Sequence, residues 1–372
     1  MTSHTSLYSC LAELTLLPSP HTIRRILPTL TPSLLGVHPL HRPSLITICG
    51  PVRTPPPKYK DVRGLVYDVE HHRFVQRLGH VTQLGTLPYL CPMRGCAYSR
   101  LEHSTGVSDL AYKLGMLLLR ATNHLQDGDP RKVLGYDVFV MEVAAFLHDV
   151  GHGPLSHQFD AYLDRLATQM SVPAFPHHDE RGVRLALLIL QDCWAQSDSW
   201  KRAFPIGVDQ LHAHVRALIL AIPHPDLPPM IRHTINANSV HHMDLDRLEY
   251  LPRDAALILS SDLTKEEEEE VYREWLAVSN AALTGCHVTD DFQDVVMEPS
   301  ATTRLLQLRS DLYTKCYSRT ADHSLKFDQC MQEMVEKKQI PLRCLHITCR
   351  SDAELFTTLF PEHELLRMFT FL

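Results

Sequence analysis

FLHDVGHGPLSHQFD, residues 146–160, holds three histidines and two aspartates and closes an almost wholly apolar run, VFVMEVAAFL. An imidazole and a carboxylate at the end of a buried helix need a partner, because unpaired charge is costly to bury. A divalent metal is one such partner. Imidazole nitrogen and carboxylate oxygen suit Zn, Fe, Mn or Mg. Two other segments offer matching groups. In SRLEHSTGVSDLAYKLGMLLLRA, His103 lies four residues before Val107. It therefore shares the apolar face of Val107, Leu110, Ala111, Leu114, Leu117 and Leu118. In HHMDLDRLEYLPRDAAL, residues 241–257, Asp246, Tyr250 and Asp254 fall at i, i+4 and i+8 on one helical face, while Leu245 and Leu248 form the apolar side. A polar stripe on an otherwise buried helix means a pocket or a metal. Any one of these histidines alone reads better as a core residue bonded to a backbone carbonyl. Three segments together point to ligands converging inside a helical bundle, with open positions for water and a phosphate oxygen.

The elements that would position them are helices. The fold class expected is mainly α, a helical bundle with a few short strands. One helix covers 138–148 and places Met141, Ala144, Ala145 and His148 on a stripe, with Gly151 and Gly153 ending it. VRLALLILQDCW (183–194) and LHAHVRALILAI (211–222) read as further helices. Thr264 caps a helix whose Glu267 completes the capping box, and the glutamate run there is a solvated face. LRCLHITCR carries the best strand signal. Residues 1–57 form a Pro/Leu/Ser-rich leader, expected to be poorly ordered. Arginines that include Arg24, Arg25 and Arg42, with a single acid, Glu13, leave a targeting segment, mitochondrial for instance, as the alternative. A core follows at 58–335, then the start of a truncated region at 336–372.

Composition excludes some classes. The net charge of −7 argues against a general nucleic-acid or membrane-surface binder. No apolar stretch is long enough to span a membrane. The cysteine pairs Cys91/Cys96 and Cys344/Cys349 lack the zinc-knuckle spacing, so the 10 cysteines read as reduced thiols of an intracellular protein, nuclear or cytoplasmic.

SRLEHS, FLHDVGHGPLSHQFD and DLDRLEYLPRD, in this order, resemble the HD-domain phosphohydrolases. More narrowly, they are similar to the catalytic core of the SAM-and-HD-domain deoxynucleotide triphosphohydrolases. QRLGHVTQLG (76–85) and HHDERG (177–182) extend the likeness, which covers about residues 60–335. The H…HD…D order is moderately specific; the two longer patterns are much more so. The resemblance implies His103, His148, Asp149 and Asp246 as ligands of one transition metal (Zn, Fe or Mn), with Mg joining through substrate phosphates. It implies that His152 and His157 hold phosphate or the attacking water. Asp160 and His178 would donate a proton to the leaving sugar oxygen, although His177 and His178 are not separable by pattern. Arg100, Arg247 and Arg309 would clamp phosphates. Gln83, Leu84, Tyr250 and Asp254 would contact the sugar end, and Tyr317 would pack against C2′. The reaction implied is hydrolysis of a dNTP to deoxynucleoside and tripolyphosphate.

Departures from the family pattern limit what is expected. Ser318, Arg319 and Thr320 follow Tyr317 where relatives carry His and Lys. Pro252 is expected to interrupt the helix bearing Tyr250 and Asp254. No SAM domain is recognisable, YKDVRGLVYD replaces an activator motif, and the relatives' C-terminal lobe is not continued. Nucleotide activation is therefore expected to be changed, and a dimer is favoured over a tetramer. Two alternatives stand beside dNTP hydrolysis. One is an HD phosphohydrolase acting on a phosphodiester or nucleoside monophosphate. The other is a catalytically weak nucleotide binder.

Overall fold

The computed structural model describes residues 57–319, except 86–97, 154, 172–173, 175, 204–206, 237, 239–240 and 260–263. All but the last residue of the leader, the 336–372 region and the strand signal at LRCLHITCR lie outside the described residues. The fold is mainly α. Its helices are α1 (Pro57–Glu70), α2 (Arg73–Gln76), α3 (Arg100–Ala121), α4 (Gly135–Leu147), α5 (His157–Met170), α6 (His178–Gln196), α7 (Asp198–Ala203), α8 (Val208–Ile219), α9 (Leu245–Leu259), α10 (Lys265–Thr284) and α11 (Pro299–Lys315). Among the described residues the one sheet is a hairpin, β1 (His287–Val288) against β2 (Val295–Val296), antiparallel with His287 opposite Val296.

Helix α4 is the hub. Every residue from Val138 to Leu147 is buried, as expected of a helix apolar on nearly every side, with Glu142 the one charged side chain in that stretch. Helix α3 packs along it, and α1 and α8 flank it. Gly115 lets α3 approach closely, since a Cβ there would lie 2.9 Å from Val138 Cγ1. The start of α3 is set locally by a capping box in which Ser99 Oγ accepts from the Glu102 amide and the Glu102 carboxylate accepts from the Ser99 amide. The Thr264–Glu267 box starts α10 in the same way, and Glu266, Glu267, Glu269 and Glu270 are exposed. Helix α8 ends at Ile219, three residues before the sequence suggested. Ala221 turns left-handed (φ 51°), and the Ile222 amide donates back to Ala217 O in a Schellman motif.

Pro252 does not interrupt α9, which runs unbroken from Leu245 to Leu259. The expectation fails because of a tertiary contact. Proline at 252 leaves Leu248 O without its helical donor, and Ser279 Oγ of α10 donates to that oxygen at 2.6 Å. Tyr250 and Asp254 therefore stay on one continuous helix.

The segment after α4 turns tightly against α6. A Cβ on Gly151 would sit 1.9 Å from His178 O and 2.3 Å from Gly182 N, both backbone atoms. Gly151→Ala is expected to destabilise the fold by about 3 kcal/mol, the upper end for overpacking, and to lower the melting temperature by about 6–12 °C. A thermal scan that shows no shift would mean that α6 does not abut this turn.

Candidate metal centre and adjoining cleft

His103 comes from the first turn of α3, His148 caps α4, Asp149 follows it, and Asp246 lies in the first turn of α9. Both histidines are buried, with ring centroids 5.3 Å apart. His103 Nδ1 donates to Glu249 Oε2 at 2.6 Å, and His148 Nδ1 donates to Ala145 O at 2.6 Å. A carboxylate and a carbonyl only accept, so each ring keeps its lone pair on Nε2. Both Nε2 atoms are buried without a hydrogen-bond partner. His103 Nε2 lies 2.9 Å from Asp246 Oδ1 and 3.5 Å from Asp149 Oδ2. His148 Nε2 lies 3.5 Å from Asp149 Oδ1 and 3.8 Å from Asp246 Oδ1. Ligand atoms bound at about 2.1 Å to one ion stand roughly 3–3.5 Å apart. The residues fit a divalent metal on these grounds: two orphaned imidazole lone pairs facing carboxylate oxygens.

The electrostatics agree. Burial works to lower the His103 pKa, yet the carboxylates of Asp246, Glu249 and Asp149 raise it to about 10. The cluster thus calls for positive charge at this point, which a cation satisfies without protonating the ring. Burial also opposes ionisation of Asp149, but Arg100, His148 and His152 hold it well below the usual carboxylate range. Arg100 is central here. Its Nη1 donates to Asp149 Oδ2 at 2.5 Å, and its Nε donates to Ser156 Oγ at 2.9 Å. Ser156 in turn donates to Thr82 O. Leu155 and Ser156 both have positive φ (58° and 57°), a strained turn for non-glycine residues, and the Arg100–Ser156–Thr82 chain holds it.

That turn delivers His157 to the start of α5. His152, His157, Asp160 and His178 form a second cluster beside the first. The His152 and His178 rings stack at 3.8 Å, and His157 stands edge-on to both, at 4.8 and 5.2 Å. His178 Nδ1 donates to Asp160 Oδ2 at 2.7 Å, while Arg181 Nη2 donates to Asp160 Oδ1. His152 Nε2 is 3.3 Å from Asp149 Oδ1, linking the two clusters. Burial first, then the charges of Arg100 and His178, hold His152 well below its usual pKa, so it is neutral. Of the three rings only His157 is exposed. His177, which the pattern left level with His178, is exposed and turns to Asp179 at 3.3 Å instead.

A third group lies further along the same face of α9. Asp254 accepts from Tyr98 Oη at 2.8 Å and from Tyr317 Oη. Burial pushes Asp254 up to about 6, against these two hydroxyls. Tyr250 Oη accepts from Arg309 Nε at 3.3 Å, and Arg309 is otherwise exposed. Arg247 is tied to Asp244 at 2.6 Å rather than left free. Gln83 O accepts from Arg100 Nη2 at 3.4 Å, Gln83 Oε1 is buried without a partner, and Leu84 beside it is half-buried. Glu249, Tyr98, Arg77, Arg181 and Asp244 escaped sequence reasoning. Glu249 had a signal, since it follows Asp246 by three on the same face. Arg181 likewise follows His178 by three. Arg77 donates to His152 O and Val150 O, and Tyr98 sits outside any helix; neither has a periodic cue.

Residues 100–202 match the family model described as the HD domain. This segment, from the start of α3 through α7 in the chain, is thus similar to the HD domain and takes in His103, His148, Asp149, His152, His157, Asp160 and His178, while Asp246 lies outside it. Over 203 residues it is 28% identical to the deoxynucleoside triphosphate triphosphohydrolase SAMHD1 homolog of Dictyostelium discoideum, covering 53% of this chain and 34% of that protein. It is 39% identical over 92 residues to deoxynucleoside triphosphate triphosphohydrolase SAMHD1 of Homo sapiens, 25% of this chain and 13% of that one. It is 27% identical over 209 residues to the uncharacterized protein YwfO of Bacillus subtilis, 55% of this chain and 39% of that one. The chain thus spans about a third of the length of the first of these relatives and less than a sixth of the second.

Proposed function

We propose that the chain hydrolyses deoxynucleoside triphosphates to deoxynucleoside and tripolyphosphate. The observation that supports this best is the convergence of two orphaned imidazole lone pairs and two carboxylates from α3, α4 and α9, directly beside the His152–His157–Asp160–His178 cluster. His103, His148, Asp149 and Asp246 would hold a divalent metal, which would supply polarisation and charge neutralisation at a phosphate. The chain's own residues do the rest. Neutral His152, packed between Asp149 and His178, accepts a hydrogen bond from the attacking water or orients a phosphate oxygen. His157 alone of the cluster reaches the open side, so we assign to it the approach to the leaving sugar oxygen. The His178–Asp160–Arg181 chain behind it fixes the rings and carries the compensating charge. The water oxygen bonds to the α-phosphorus as the P–O bond to the sugar breaks; the water gives up a proton to this cluster and the departing oxygen takes one from it, so the cluster ends with the protons it began with. Tyr98 and Tyr317 hold Asp254 facing the sugar end, where its carboxylate accepts from a 3′-hydroxyl. Arg309, on Tyr250, meets the polyphosphate.

The names of the SAMHD1 relatives support the substrate class. The test is to incubate the purified chain with dGTP and Mn²⁺ or Mg²⁺, with and without GTP, and to separate the products. Deoxyguanosine with tripolyphosphate is the expected result. Release of dGMP with pyrophosphate, or of orthophosphate, would overturn the triphosphohydrolase reading in favour of another HD phosphohydrolase reaction. No product from any nucleotide with metal bound would favour a binding role.

A further inference from the structure

A separate histidine–aspartate group lies at the opposite end of α4 from the HD centre. His214 on α8 and His224 and Asp226 in the loop after it each present a ligand atom, all within 4.8 Å of one another. His214 is 2% exposed, and its Nε2 is buried with no hydrogen-bond partner. Asp226 Oδ2 lies 3.7 Å from that nitrogen, beyond hydrogen-bond reach. The other ring nitrogen, Nδ1, lies 2.7 Å from the hydroxyl of Tyr136, in the first turn of α4. With Nδ1–H donating to Tyr136, the Nε2 lone pair points at Asp226 and His224. Metal-binding histidines are arranged in this way, one nitrogen anchored and the other aimed.

The backbone prepares the site. The Schellman turn at Ala217–Ile222 reverses the chain, and Pro223, Pro225, Pro228 and Pro229 restrict the loop that follows. The His224 ring stands edge-on to His214 at 4.5 Å. Its Nδ1 accepts from the Asp226 amide at 3.2 Å, and at 22% side-chain exposure the ring has room to turn either nitrogen inward. Asp226 is 57% exposed, which leaves a solvent-facing approach for an ion and its remaining waters.

We propose that His214, His224 and Asp226 bind one divalent transition-metal ion of the zinc class. Two imidazoles, one carboxylate and water make a familiar donor set for Zn²⁺, and no thiolate is present to favour a softer ion. The ion staples the loop after α8 to the N-terminal turn of α4 through Tyr136. Tyr136 precedes His148 by twelve residues along α4, about 18 Å, so the two metal sites do not share ligands.

The test uses the full chain stripped with a chelator and titrated with Zn²⁺ alone. Binding is followed by calorimetry, and metal is counted by mass spectrometry after desalting. In an Asp149→Asn/Asp246→Asn background, which disables the HD centre, one tight equivalent is expected. Adding His224→Ala or Asp226→Asn weakens that equivalent at least about 100-fold and removes the zinc-dependent rise in melting temperature. Both substitutions lie on the loop after α8, outside the helices that carry the HD centre. In the otherwise native chain they reduce two equivalents to one and leave turnover unchanged, so a failure here is separate from any failure of the proposed reaction. Absence of a tight equivalent in the background chain, or its survival in both loop variants, overturns the site.

Discussion

Replacing His148 by Ala and Asp149 by Asn together will empty the HD centre of metal and lower turnover by about 10³-fold or more. A bound divalent ion is worth several kcal/mol of transition-state stabilisation, and each 1.36 kcal/mol is a factor of ten. The pair removes one of two orphaned imidazole lone pairs and one of two facing carboxylates. Asn rather than Ala is chosen at 149 for a structural reason. Asp149 Oδ2 accepts from the buried Arg100 guanidinium, and a bare Ala would strand that charge at a cost of about 3–5 kcal/mol. With Asn the amide oxygen still accepts, so the helical far-UV spectrum is retained. Metal content and kcat/KM are measured on the same sample. A variant that keeps its metal would sink the ligand assignment, because no other set of groups with this burial and spacing lies on α3, α4 and α9.

Asp160→Asn is expected to lower kcat by about 10²–10⁴-fold with KM changed by less than roughly threefold, the range for losing acid–base assistance. Asp160 is the only acceptor bonded to His178 Nδ1, and its other oxygen receives Arg181. An amide in its place turns an N–H toward the ring or toward the guanidinium. The tautomer of His178 and the stack with His152 are then no longer fixed. Arg181 keeps its bonds to Gly151 O and Pro176 O, so the fold survives with a modest thermal shift. Metal content should be unchanged, since Asp160 is bonded to His178 and Arg181 and is not one of the four groups assigned as ligands. The split between kcat and KM, with a changed pH profile of kcat, separates this role from a structural one. An unaltered kcat would remove the His178–Asp160 pair from the reaction.

Much of the helical frame could be read from the chain because it is set by local rules. Capping boxes at Ser99 and Thr264 are complete within four residues, and the apolar period of α3 and the almost wholly apolar run of α4 need no distant information. The spacing of Asp246, Tyr250 and Asp254 likewise placed three polar groups on one face of α9. Pro252 was misjudged because the donor that satisfies Leu248 O comes from Ser279, 31 residues along the chain. The β hairpin was missed because two-residue strands carry no period.

What the sequence by itself determined is the set of chemical groups and the helices that carry them: His103, His148-Asp149, the HGPLSHQFD turn and Asp246. What the tertiary structure decided is which groups meet. His103 finds Glu249 at 146 positions' distance, Tyr98 finds Asp254 at 156, and Tyr136 finds His214 at 78. The packing of α6 against the glycine turn buries His178 and leaves its neighbour His177 in water, a difference that the two adjacent histidines of the sequence do not announce. Periodicity records which side of a helix faces inward. It does not record which other helix lies there, and ligand geometry depends on that second fact.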